Sequence, residues 1–352
     1  GAYGSKQNLT PYLDDIASKG LKFENVYATG TRTVRGLEAV SLGTPPIPGQ
    51  AIIHRPDNDH LATIGELLKA RGFSSMFLYG GYGYFDNMNG YFRSNDYQIV
   101  DRTDFDKRTI ASENVWGVAD ESLFNNILTT FDQKASAHQP FFAHIMTTSN
   151  HRPFTFPEGR VDLPQGDRLG AVKYTDYAIG KFLEDAKAKP WFKDTLFVIV
   201  ADHCSSVAGK TRLPVAKYRI PLIFYAPDML KPAVEKRMAS QIDIAPTLVD
   251  LVSAKDDGSF FGESLFAEHK AAPRAFISNY QELGYYKNDT LVVLSPKKKS
   301  EAYRIDPVTY DAVKTGMDEV LLQEAIAYYQ TASSAFKQGD LKLAAHSYHA
   351  NH

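Results

Sequence analysis

Short apolar runs rich in β-branched and aromatic residues alternate along this chain with stretches whose apolar positions recur at helical spacing. Residues 21–26, 74–79, 141–147, 196–201 and 221–225 read as strands, with helical candidates between them. That alternation predicts an α/β fold with a mostly parallel sheet flanked by helices. The clearest helix spans 169–187: Val172, Thr175, Ile179, Phe182, Leu183 and Ala186 recur on one face, while Lys173, Asp176 and Glu184 lie elsewhere. It is expected to pack against the sheet.

Within LFVIVADH the apolar run gives way abruptly to Asp202 and His203, which predicts a buried parallel strand ending at that point. Ligands of open α/β sheets bind beyond the strands' carboxyl ends, so both side chains emerge where chemistry is done. Asp-His alone is a weak signal, because many such pairs are surface residues. After about residue 255 the pattern changes to short runs at 274–279, 290–295 and 302–305, followed by helical patterns at 317–336 and 341–349. We therefore expect a core over 1–255 and a small, antiparallel subdomain with terminal helices over 256–352. The Lys297-Lys298-Lys299 run reads as a solvated loop, and His346, His349 and His352 as solvated residues near the chain end.

The stretch TGTRTVRGLE, residues 29–38, crowds three threonines and two arginines around the start of a helix expected from about Thr33 to Leu42. Taken alone, it is best read as a helix start capped by the Thr33 hydroxyl, worth about 1 kcal/mol. The other reading uses the same geometry: amides at a helix start attract anions, and a hydroxyl there can attack phosphorus once a divalent cation helps it lose its proton. A third segment, TTSNHRPF at 147–154, follows the strand PFFAHIM and reaches the same sheet edge. His151 stands where a loop histidine meets a substrate phosphate or a leaving group. Arg152 is read equally as a phosphate contact or a surface ion pair, and His144 as a satisfied core histidine.

Composition narrows the classes. The chain has 352 residues, 43% of them hydrophobic, and a formal net charge of −2, so no nucleic-acid footprint is present. Its longest apolar runs fall far short of the roughly 20 residues that cross a bilayer. No basic start followed by an apolar stretch opens the chain, so no secretory signal is read, although a processed chain starts the same way. With Cys204 alone, no internal disulfide and no multi-cysteine zinc cluster can form. Cys204 itself is read as a packed small residue rather than a reactive thiol.

Taken together, these segments resemble a known group. LTPYLDDIASKGLKFENVYATG and, at 240–251, SQIDIAPTLVDL are similar to the early and late segments of the alkaline phosphatase and sulfatase superfamily. ADH and SNHRPF resemble its lipoteichoic acid synthase-like branch, which includes the phosphoglycerol transferases of periplasmic glucans and is related to the phosphoethanolamine transferases. The resemblance implies a catalytic nucleophile at Thr33, a substrate-contacting His151, and metal ligands at Thr33, Asp202 and His203. One divalent ion is implied as cofactor, zinc or manganese first and magnesium as a further option. Sulfatases need Cys or Ser within C/S-x-P-x-R, which Thr33-Val34-Arg35 does not supply, so sulfatase chemistry is disfavoured.

Two departures are visible. The resemblance implies a further acidic ligand, in a Glu-Ser step, ahead of the residues matching GAYGSKQNLTP; it is not among residues 1–352, and a chain shortened or cleaved upstream of Gly1 is expected. A native molecule without that ligand is expected to lose metal affinity and activity. The other is LYGGYGYFDNMNGYF at 78–92, where Gram-positive lipoteichoic acid synthases place histidine, aspartate, tryptophan and arginine; here the segment is more similar to Gram-negative members. Its glycines with Asp86 and Asn87 favour a substrate-binding loop over plain packing.

The expected activity is metal-dependent transfer of phosphoglycerol from a phospholipid, phosphatidylglycerol first, to an envelope glycan or lipid through a covalent threonine intermediate. The alternatives are a phosphoethanolamine transferase, a phosphodiesterase or phosphatase, and a metal-free binding domain that has lost catalysis. The resemblance implies upstream transmembrane segments and a domain on the periplasmic or extracellular face of the bacterial inner membrane. Arg32, Arg35 and Lys210 are read as phosphate contacts or solvated charges with equal weight.

Overall fold

The computed structural model describes residues 1–205, 212–252, 260–268 and 272–343. In chain order the elements are α1 (Pro11–Lys19), β1 (Leu21–Tyr27), α2 (Thr33–Leu42), α3 (Ile64–Lys69), β2 (Ser74–Tyr79), α4 (Met88–Ser94), β3 (Gln98–Val100), α5 (Asp120–Ser136), β4 (Phe141–Met146), α6 (Arg168–Lys187) and β5 (Phe197–Val200). There follow β6 (Arg219–Tyr225), β7 (Ala233–Ser240), α7 (Ile244–Leu251), the strands β8 (Arg274–Ser278), β9 (Leu283–Lys287), β10 (Thr290–Ser295), β11 (Lys299–Ile305) and β12 (Ala312–Thr315), and finally α8 (Glu319–Gln338). Among the described residues the strands form three sheets, ordered β5-β6-β1-β7, β3-β2-β4 and β12-β11-β10-β9-β8. β2 pairs parallel with both β3 and β4. The five-stranded sheet is antiparallel throughout.

The chain divides into two compact units. One comprises residues 1–22, 72–199 and 223–234; the other comprises 23–71, 200–222 and 235–352. In the first unit, α5 and α6 bury Leu123, Phe124, Ile127, Phe131, Phe182 and Leu183 against Met76, Leu78 and Ile223. The face of α6 that buries is carried by Ala171, Tyr174, Ala178, Phe182, Leu183 and Ala186, so the predicted stripe is right at its C-terminal end and rotated at its start. Asp176, expected on the outer face, is buried because its carboxylate accepts the backbone N–H of Tyr12 at 3.0 Å and of Leu13 at 2.7 Å. It supplies the cap that Thr10 does not make for α1.

The second unit has its own cores. Tyr27, Tyr218, Ile277, Leu291 and Ile305 form one, and Phe276, Tyr285, Val292, Leu321, Ala325 and Tyr329 form another beneath α8. Arg274 and Asp243, both buried, pair at 2.9 and 3.0 Å, and Asp243 also accepts the N–H groups of Ser240 and Glu263. Removing one partner would leave an uncompensated buried charge, a cost of about 3–5 kcal/mol.

Two expectations change here. β5 is apolar along its length and β4 is so but for His144, yet each ends its sheet among the described residues and is only half-buried. Among the described residues, the strand that leads to Asp202 pairs with β6. Residues 341–343 are not helical, and the rest of the predicted 341–349 helix lies outside the described residues, as do Lys210, His346, His349 and His352. The lysine run holds up as a turn: Lys297 and Lys298, exposed at φ 62 and 56, connect β10 to β11.

Candidate active site

In the second unit, α2 begins at Thr33 with Arg32 as its N-cap, and no side chain caps it. Thr33 is thus the first helical residue rather than the cap, and its hydroxyl is available for another bond. It donates to Asp202 Oδ2 at 2.8 Å, across 169 residues of chain. His203 Nε2 stands 3.4 Å from the same carboxylate oxygen, and the His203 backbone N–H donates to Asp202 Oδ1 at 2.9 Å. Three of the predicted site residues therefore meet around one oxygen atom.

The tautomer of His203 follows from its other ring nitrogen. Nδ1 lies 2.7 Å from the Cys204 carbonyl, which can only accept, so Nδ1 carries the proton of the neutral ring. The Nε2 lone pair then faces a carboxylate oxygen. These two lone-pair-bearing atoms and the threonine oxygen face a common space that a divalent cation could share. Thr33 Oγ1, Asp202 Oδ2 and His203 Nε2 are oxygen and imidazole donors that suit zinc, manganese or magnesium. Among the described residues no group of three or more His, Cys, Asp or Glu side chains forms a metal site, so these donors make a partial set. Asp202 and His203 remain 38% and 27% exposed, which leaves room for an ion and a substrate.

Two residues that sequence reasoning did not single out hold this cluster together. Gln241, fully buried, donates from Nε2 to the carbonyls of Ala201 at 3.0 Å and Asp202 at 2.9 Å, while its Oε1 accepts the Thr29 N–H at 3.1 Å. One amide thus ties the threonine turn to the strand end. Gly36 lets α2 approach the backbone of Asp202, since a Cβ there would lie 2.3 Å from the Asp202 carbonyl oxygen. The only local hint was the SQID segment, whose glutamine has no signal of its own.

Arg35 departs from both readings, whereas Arg32 is exposed, as a solvated charge would be. Arg35 donates to Glu38 at 2.7 Å and to the carbonyls of Ile47 and Gly49 at 3.0 and 2.6 Å, so it braces the loop after α2. Arg32 contacts the Tyr280 hydroxyl and lies 5.6 Å from the centre of that ring.

In the first unit, the loop after β4 carries His151 and Arg152, both exposed. The His151 ring stacks on Trp116 at 4.2 Å between centroids, 28° apart, and Phe85 meets Trp116 edge-on at 5.4 Å. Phe85 precedes Asp86 and Asn87, which adopt left-handed conformations at φ 51 and 58, so the predicted binding loop lies beside the histidine loop. Asp101 anchors it: its carboxylate accepts Gly83 N–H at 3.0 Å and Asn89 Nδ2 at 2.7 Å, as well as Thr103 N–H at 2.8 Å and Oγ1 at 2.6 Å. Burial pushes the Asp101 carboxyl up, but the hydrogen bonds from Thr103, Asn89 and Gly83 outweigh it and hold it below the ordinary range. His144 packs edge-on to Phe77 and Phe92, as a core histidine should.

The sulfatase family model matches residues 1–254. The chain belongs to the sulfatase family. A solved alkaline phosphatase superfamily protein from Vibrio parahaemolyticus is 34% identical to this sulfatase-family chain, covers 96% of it and 83% of the other chain, and superposes with a TM-score of 0.90. Lipoteichoic acid synthase 2 of Bacillus subtilis is 25% identical over 294 residues, 75% of this chain and 44% of that protein. Phosphoglycerol transferase I of Xanthomonas campestris is 25% identical over 297 residues, 78% of this chain and 42% of that protein. The chain therefore spans less than half the length of these curated relatives. The α/β architecture with a helix-flanked, parallel-containing sheet and a separate antiparallel C-terminal sheet agrees with that superfamily. Superfamily members use a divalent metal, in keeping with the donor set around Asp202. Among the described residues no helix is long and apolar enough to cross a membrane.

Proposed function

We propose that this sulfatase-family chain carries the catalytic domain of a metal-dependent transferase that moves phosphoglycerol from a phospholipid, phosphatidylglycerol first, to an envelope glycan or lipid. The observation that carries the reading is the Thr33 hydroxyl 2.8 Å from Asp202 Oδ2, with His203 Nε2 on the same oxygen. The names of the two curated relatives supply the substrate class, and neither name refers to a sulfate ester. Thr33-Val34-Arg35 also lacks the Cys or Ser that sulfatase chemistry needs.

Thr33, Asp202 and His203 would hold the divalent ion. When bound, it favours the threonine alkoxide and neutralises charge on the phosphoryl oxygens. In the first half-reaction the Thr33 proton passes to Asp202, the atom to which its hydroxyl already donates. Thr33 Oγ1 forms a bond to phosphorus, and the bond from phosphorus to the diacylglycerol oxygen breaks. The leaving oxygen takes up a proton, and by the family resemblance His151 would steady the substrate or supply that proton. In the second half-reaction an acceptor hydroxyl gives its proton to the group that protonated the leaving oxygen, its oxygen bonds to the same phosphorus, and the bond from phosphorus to Thr33 Oγ1 breaks, that oxygen regaining its proton from Asp202. Asp202 holds the nucleophile on the sheet side throughout, and Gln241 keeps the two segments in register. We place the domain on the periplasmic or extracellular face of the inner membrane, following the envelope substrates of the relatives.

The test is incubation of the metal-loaded protein with phosphatidylglycerol, read by peptide mass for a glycerophosphate adduct on Thr33 and by release of diacylglycerol. Transfer to an added glucan establishes the transferase. Release of free glycerol phosphate whether or not glucan is present assigns a phosphodiesterase instead. No metal, no adduct and no diacylglycerol would leave the metal-free binding domain.

A further inference from the structure

Loop histidines are mobile unless something fixes both their backbone and their ring. The loop at 147–155 is tied down by one short segment, residues 114–120, at four successive points. Asn114 Nδ2 donates to Thr155 Oγ1 at 2.9 Å. The Trp116 ring stacks on His151. The Val118 carbonyl accepts the Thr148 hydroxyl at 2.8 Å. Asp120 Oδ1 accepts the N–H groups of both Thr148 and Ser149 at 3.1 Å, and the Asp120 N–H donates back to Ser149 Oγ at 3.1 Å.

Asp120 is fully buried at the start of α5, and its second oxygen is also used. Thr175 on α6 donates to Oδ2 at 2.7 Å and accepts from Asn150 Nδ2 at 2.8 Å, so a relay runs from the residue before His151 through Thr175 to Asp120. Burial pushes the Asp120 carboxyl up, opposed by the four hydrogen bonds it makes to Thr175, Thr148 and Ser149. The other side of the segment is seated on the loop after β2: Val118 N–H donates to the Gly80 carbonyl at 2.9 Å, and Gly117, at φ 155, has no room for a Cβ, which would lie 2.2 Å from that oxygen. Phe85 then closes on the free edge of Trp116.

We propose that residues 114–120 are a strap that sets the position of His151 for the headgroup step, with Trp116 and Asp120 as its positioning residues; this rests on the proposed phosphoglycerol-transfer reading. The strap acts on the ring through stacking and on the backbone through the buried carboxylate. It links the histidine loop to the loop of Asp86 and Asn87, so the two substrate-facing loops of this unit move as one body. A displacement of about 1 Å in such a group is enough to lower turnover about 10²-fold.

The experiment uses the full chain, metal-loaded, at one fixed pH, with two readouts. One is kcat and KM for diacylglycerol release from phosphatidylglycerol. The other is the ring-current shift that Trp116 imposes on the His151 proton resonances, assigned with His151→Ala, which does not depend on activity. Asp120→Ala is expected to abolish the shift and lower kcat about 10²-fold with KM and metal content close to wild type. Asp120→Asn, which keeps an acceptor for both amides, is expected to restore most of both. Thr175→Val, a milder change away from the site, is expected to weaken the shift and lower kcat about tenfold, and it decides the matter if Asp120→Ala fails to fold. A wild-type ring-current shift in folded Asp120→Ala or Thr175→Val, or a lost shift with unchanged kcat, would overturn the strap. If the wild-type protein releases no diacylglycerol, the transferase reading fails by itself. The shift then still decides the strap, whose loss in Asp120→Ala with recovery in Asp120→Asn supports it and whose persistence overturns it.

Discussion

His203 and His151 are both held by neighbours, but the two regions use different physics. Around His203 the atoms that meet are charged or carry lone pairs: a carboxylate oxygen, an imidazole nitrogen and a threonine hydroxyl, half-exposed and drawn from segments far apart in the chain. Around His151 the groups are neutral ones and a single buried carboxylate that is fully used by amides and a hydroxyl. The first arrangement gathers lone pairs that a divalent cation could share. The second stores no unbalanced charge at the histidine and produces only position. A cluster of the first kind suits a nucleophile and its metal, and one of the second kind suits a group that must meet a substrate at a set distance.

That contrast is broken or sharpened by substitution, beginning with the nucleophile. Thr33→Ala is expected to lower turnover by about 10³-fold or more while leaving the fold intact by circular dichroism. Unchanged turnover would remove Thr33 from the mechanism. Next in size, Asp202→Ala and His203→Ala are each expected to release the metal, read by elemental analysis of the purified protein, whereas His151→Ala should keep its metal and lose about 10²–10³-fold in kcat. Equal metal loss in all three variants would abolish the distinction between the regions. Retention in both Asp202→Ala and His203→Ala would eliminate the metal site.

A smaller effect tests the packing that brings the first cluster together. Gly36→Ala places a methyl group 2.3 Å from the Asp202 carbonyl, so α2 must shift. We expect a stability loss of about 1–3 kcal/mol by denaturant titration, with activity falling more than stability predicts. A neutral result would show that the approach of α2 to the strand end is not tight.

The smallest effect concerns pH and the second region. The Asp101 carboxyl is held below the ordinary range in the folded state, so its contribution to stability is complete above the ordinary carboxylate value of about 4 and is lost as pH falls through the lowered folded value. The loop it anchors at 83–89 is expected to loosen in that acid window, seen by hydrogen exchange at Gly83. Asp101→Asn should flatten this part of the acid response. An acid response identical to wild type would assign the loop's order to other contacts.

Much of this was legible in the chain. The apolar runs located β2, β10 and α6 within a residue or so, because a strand's or helix's boundaries follow from local side-chain pattern and turn residues. The Asp-His step at the end of an apolar run, and the histidine in SNHRPF, were visible for the same reason. Gln241 was not, since a glutamine in a helical turn looks alike whether it faces water or bridges Thr29 to Ala201 and Asp202. Trp116 and Asp120 were missed on similar grounds: their partners are about 30 residues or more away, on β4's loop and on α6.

By itself, then, the sequence determined the α/β alternation, the helix starting at Thr33, the strand that delivers Asp202 and His203, and the loop that carries His151, all set by local propensity and apolar period. Only the tertiary structure decided that Thr33 is no cap but donates its hydroxyl to Asp202, that Arg35 braces a loop, and that a buried carboxylate holds the backbone beside His151. Those choices depend on which groups lie within about 3 Å of one another, the range over which a hydrogen bond acts. A linear pattern does not carry that distance; close packing of the folded chain does.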